Sequence, residues 1–81
     1  MIITTTIKNN SANTQKIKDF IEEMISKGAK HFTISNISTF STLPKDTSEL
    51  TIDIDRCPEY SEDFNNFARS ISDSGEISII T

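Results

Sequence analysis

Two stretches of helical hydrophobic spacing are set among four stretches of strand-like alternation, and their order is what most restricts the fold of this chain. Residues 2–8 are rich in β-branched side chains, with Ile3, Thr5 and Ile7 on one face, the pattern of a strand. The run Asn9-Asn10-Ser11-Ala12-Asn13 has turn chemistry, and Ser11 or Asn13 is expected to cap a helix that follows. Ile17, Phe20, Ile21, Met24 and Ile25 then fall at i, i+3, i+4, i+7 and i+8, one stripe of an amphipathic helix. Lys27 followed by Gly28 is a good ending, because glycine readily takes the left-handed position after a last turn.

Beyond that glycine the period changes. In 31–37, Phe32 and Ile34 share one face while Thr33 and Ser35 share the other. A Ser/Thr-rich connection is expected over 38–48, with Pro44 inside it. Leu50, Ile52 and Ile54 next alternate with Thr51, Asp53 and Asp55. Pro58 suits the first turn of a second helix, where its missing N–H costs nothing, and Glu59, Glu62 and Asp63 favour the positive end of the helix dipole. Tyr60, Phe64, Phe67, Ala68 and Ile71 form its stripe, Asp73-Ser74-Gly75 stops it, and 76–80 read as a last strand.

Strand, helix, strand, strand, helix, strand predicts an α+β fold, with two crossover connections returning to one sheet. The usual solution is a ferredoxin-like β-α-β-β-α-β sandwich, a four-stranded antiparallel sheet in the order 4-1-3-2 with two helices on one face. At 81 residues there is room for one domain, 1–81. Ile3, Ile7, Phe32, Ile34, Leu50, Ile52, Ile54, Ile77 and Ile79 are expected to face the helices. Thr4, Thr6, Thr33, Ser35, Thr51 and Asp53 then line an open face. Antiparallel pairing of the first and last strands would bring Ile2 and Ile80 together on that open face, a seed for self-association.

Charge restricts partners. The net charge is −4, and it is unevenly spread. Residues 1–45 carry six lysines against three carboxylates, a balance of +3; residues 46–81 carry two arginines against nine carboxylates, a balance of −7. Direct nucleic-acid binding is not expected, since it depends on Lys and Arg neutralising phosphates. No apolar stretch approaches the roughly 20 residues of a membrane helix, and the N-terminus lacks the features of a secretory signal, so no membrane partner is expected. A single cysteine, Cys57, rules out an internal disulfide and suits a reducing cytoplasm, of a bacterium or of an infected host cell.

The residues that carry chemistry are few. Asp53 and Asp55, two apart on a strand, could serve a divalent cation, but no third ligand stands near them in sequence and a solvated face is the simpler reading. His31 is the one histidine, with nothing beside it to pair with as a base. Cys57 at a helix start could be activated by the dipole, yet Asp55 and Glu59 oppose ionisation and a small buried hydrophobe is expected. Both glycines sit at helix ends, so no phosphate-cradling loop exists, and no nucleophile elbow is present. The open face lacks the aromatics that would stack RNA bases.

The expectation is therefore a noncatalytic protein without a cofactor, binding a basic protein surface through Asp55, Glu59, Glu62 and Asp63, with Phe40 and Leu43 as apolar anchors. Proteins that handle nucleic acid offer such surfaces. A phage-encoded inhibitor of a host defence complex, of the anti-CRISPR kind, or an immunity protein against a nuclease toxin would meet them with carboxylates in place of phosphates. Two alternatives stay open: a self-associating small-ligand or regulatory module, dimeric through Ile2 and Ile80, and a metal-dependent enzyme using Asp53 and Asp55 with His31.

Overall fold

A computed structural model of the chain describes residues 1–37 and 46–80. Its elements are β1 (Ile2–Lys8), α1 (Ser11–Lys27), β2 (Thr33–Ile37), β3 (Thr47–Asp53), a 3-10 turn (Pro58–Tyr60) running into α2 (Ser61–Ile71), and β4 (Ser78–Ile80). The fold is α+β, with one four-stranded sheet in the order β2-β3-β1-β4 in which every neighbouring pair is antiparallel.

The central pair sets the core. β1 and β3 stay in register from Ile2 opposite Asp53 to Lys8 opposite Thr47. Ile3 thus lies beside Ile52, Thr5 beside Leu50 and Ile7 beside Ser48, all buried on one face. β2 adds Ile34 beside Ile52. Both helices reach the same apolar cluster: α2 through Phe64, Ala68 and Ile71, α1 through fully buried Met24 with Ile17 and Phe20 against it. Phe64 is the hub, its ring 5.2 Å from Phe20 in an edge-on contact and 5.1 Å from Phe32. Phe20 in turn stacks on Phe67 at 4.0 Å.

Several boundaries move from their expected places. The cap of α1 is Asn10, not Ser11 or Asn13: its side-chain oxygen accepts the Asn13 N–H at 2.8 Å. Asn13 instead donates its side-chain amide to the Lys8 carbonyl at 2.7 Å, tying the helix start to the end of β1. β3 begins at Thr47, inside the expected connection, because Ser48 belongs to the buried face opposite Ile7. Ile25 stands 59% exposed although it belongs to the helical stripe. Met24, one position earlier, is the residue of this last turn that reaches the core.

Gly28 closes α1 as expected. At φ 102° its N–H reaches the Ile25 carbonyl at 3.0 Å, and the Ala29 N–H reaches the Met24 carbonyl at 2.9 Å. This is the Schellman arrangement, with Ala29 and Met24 both buried in the core.

Candidate functional site

The acidic segment is built where β3 runs out and α2 starts. The strand ends at Asp53, so Asp53 and Asp55 do not form the same-face pair of a continuous strand. The Asp53 carboxylate accepts the Asp55 N–H at 3.1 Å and bends the chain into a turn. The Met1 amino group donates to the Asp55 carboxylate, and the Met1 carbonyl accepts the Ile54 N–H at 3.1 Å. Backbone bonds from Cys57 to Ile54 and from Tyr60 to Cys57, both 3.1 Å, then wind the 3-10 turn. The Tyr60 hydroxyl donates to the Lys27 carbonyl at 2.9 Å, which anchors this turn to the end of α1.

That anchor brings one cation to the segment. Lys27 lies 3.9 Å from Asp63 and 3.6 Å from Glu23. Of the four carboxylates expected to meet a partner, Asp55 and Asp63 therefore have internal cationic neighbours. Glu59 and Glu62 are exposed and have no ion pair among the described residues. α2 has no side-chain cap at its start, so Glu62 and Asp63 in the first turn also offset the exposed N–H groups there. Phe40 and Leu43 lie outside the described residues.

Cys57 is 1% exposed beneath this segment. Burial pushes its thiol above the ordinary range, and Glu59 and Asp53 push the same way. That is the opposite of an activated nucleophile. His31 is exposed, with φ 62° in the left-handed region, at the entry to β2. No group of three or more His, Cys, Asp or Glu side chains among the described residues could hold a metal ion, and that includes Asp53, Asp55 and His31. Among the described residues no helix is long and apolar enough to cross a membrane.

The sheet ends place the two isoleucines side by side. Ile2 pairs directly with Ile80 on the face away from the core, and Ile80 is 58% exposed. Ile79, expected to face the helices, pairs with Ile3 on the core side but is 43% exposed, because β4 is three residues long and lies beyond the helix cover.

A groove that local sequence patterns do not announce lies where β4 stops short. β4 pairs with β1 only as far as Thr4, and the chain before Ser78 swings away into the α2–β4 loop. The loop is tied back by the Asp73 N–H to the Thr6 carbonyl at 2.8 Å and by the Thr5 hydroxyl to the Glu76 carbonyl at 2.7 Å. Between loop and strand is a groove of about 300 Å³, with Thr4, Thr6, Glu49, Ser74, Glu76 and Ser78 on its walls. Its acidic members are 27 positions apart in sequence, and only the pairing of Thr6 with Glu49 brings them to one place. Neither family models nor curated proteins nor solved structures include a match to this chain.

Proposed function

We propose that this protein is a noncatalytic binding protein of ferredoxin-like architecture that docks a basic protein surface on its acidic end. The order β2-β3-β1-β4, with a helix in each of the two crossovers, supports that architecture. The observation that carries the function is the state of Glu59 and Glu62. Both are exposed, Glu59 on the 3-10 turn and Glu62 in the first turn of α2, both lack an ion pair among the described residues, and they belong to the half of the chain with nine carboxylates against two arginines. A partner that evolved to hold phosphates presents the complementary charge, as in a host defence complex met by a phage inhibitor or a nuclease toxin met by its immunity protein. Such complementarity raises association rate and selectivity more than affinity.

The test compares the wild-type chain with Glu59→Lys/Glu62→Lys in nuclease-treated pull-downs from source lysate at low and high salt. The expected result is a basic protein retained by the wild type, weakened by salt, and lost by the double variant. Equal capture by both chains would sink the reading and leave the carboxylates as helix-end devices. A second reading has its own observation, the exposed Ile80 opposite Ile2, which would let the open sheet face meet a second copy. Sedimentation of the wild type and Ile80→Lys at high concentration separates it: a dimer dissolved by the substitution supports it, a monomer in both cases removes it.

A further inference from the structure

We propose that the groove between β1 and the α2–β4 loop is a binding site for a small hydrophilic organic cation, an amine on a polyhydroxy frame such as an aminosugar. This stands apart from the acidic end and does not depend on it. The groove's about 300 Å³ is at the small end of ligand-sized cavities, and its walls are mostly hydroxyls and carboxylates, with Ile77 as the one large apolar side chain among the described lining residues.

The chemistry follows from which groups are already committed. On the open sheet face the register sets Ser78 beside Thr4, and Thr6 beside Glu49. Directly opposed side chains on a sheet have Cβ atoms roughly 4.5–5.5 Å apart. Glu49 lies on the β3 side of Thr6 and Glu76, two residues before Ser78, on the β4 side, and both line the groove. Neither has an ion pair among the described residues; the lysine of β1, Lys8, is held by Asp46 at 3.0 Å and Asp73 at 4.0 Å. Among the described residues Glu49 takes only a long bond from the Thr51 hydroxyl, 3.4 Å.

The loop wall is braced from within. The Ser72 hydroxyl donates to the Glu76 carbonyl at 3.0 Å and accepts the Gly75 N–H at 3.1 Å, and Ser74 accepts the Glu76 N–H at 3.2 Å. With those groups committed to the loop, the hydroxyls of Thr4, Thr6 and Ser78 remain to meet a ligand. A cation between Glu49 and Glu76, carrying its own hydroxyls, satisfies both kinds of wall. Among the described residues a bare divalent ion finds two carboxylates in the groove and no third, short of the charged oxygen set such ions usually take.

The test is a titration of the isotope-labelled protein with glucosamine, followed by amide NMR, with glucose as the neutral control of the same size. The expected result is saturable shifts confined to Thr4–Thr6, Glu49 and Ser74–Ser78 with glucosamine and none with glucose. Glu49→Gln and Glu76→Gln should each weaken binding by about fivefold or more, as loss of a charge-assisted contact predicts. Both side chains are exposed, so the variants keep the fold, and unchanged spectral dispersion checks it. Absence of saturable shifts, equal shifts with glucose, shifts centred on Glu59 and Glu62, or unchanged affinity in both variants would overturn the proposal.

Discussion

Asn65 has a buried side-chain oxygen that no donor meets among the described residues. A buried acceptor without a partner forfeits its hydration for nothing in return. Asn65→Ala removes that oxygen and improves helix propensity within α2, so it should leave stability unchanged or raise it by up to about 1 kcal/mol. Urea unfolding measures this, and a loss of stability would reveal a donor that the side chain does serve. Cys57 makes a prediction with pH. Its thiol titrates higher in the folded chain than in the unfolded one, because burial first and then Glu59 and Asp53 disfavour the thiolate. The unfolded state therefore ionises first on going alkaline. The stability owed to the neutral thiol is complete below the free thiol's range, about pH 8.5, and is lost as pH rises through the folded value. The stability difference between the wild type and Cys57→Ala should shrink across that window. A constant difference from neutral to alkaline pH would contradict it.

Among the elements, the two ends of α1 show how a helix is fixed. Gly28 at φ 102° is required for its backbone: a Cβ there would meet nothing nearer than the Tyr60 hydroxyl at 3.5 Å, an ordinary contact. The cost of Gly28→Ala is thus conformational, about 1 kcal/mol, and shows as a lower urea midpoint with an unchanged slope. The same hydroxyl donates to Lys27, so the turn that holds Glu59 is indexed to this helix end. The ending was legible in the pair Lys27-Gly28. The start was not, since Ser11, Asn13 and Asn10 are all competent caps and the path of β1 chose Asn10. β4 is shorter than its alternation suggested because Thr5 and Ser72 hold Glu76 in the loop instead of the ladder.

For the whole molecule, Phe64 is the side chain through which α1, α2 and the start of β2 share one core. Phe64→Ala should cost about 3–5 kcal/mol, a large part of the stability of an 81-residue domain. Circular dichroism with urea should show the variant mostly unfolded or with a sharply lowered midpoint. A cost below about 1.5 kcal/mol would mean that the core collapses around the gap and that Phe64 is not its hub. Charge also acts at this scale. Lys8 and Lys27 each pair with carboxylates from the acidic half at exposed positions, which offsets part of that half's charge and contributes little to stability.

Element order and most of the core were legible in the sequence itself, because hydrophobic period is a local property that each segment carries alone. Ile3, Ile7, Leu50, Ile52 and Phe64 could be assigned to the interior without knowing what they touch. The acidic segment was also legible, as a run of carboxylates around Pro58. Only the tertiary structure decided which of them stay unpaired, since Lys27 reaches Asp63 across α1 and α2 and leaves Glu59 and Glu62 outside. It likewise decided that Ile25 and Ile79 are exposed and that Glu49 and Glu76 share a groove. Burial and pairing depend on what lies opposite, and no periodicity within a segment encodes its neighbour across the sheet.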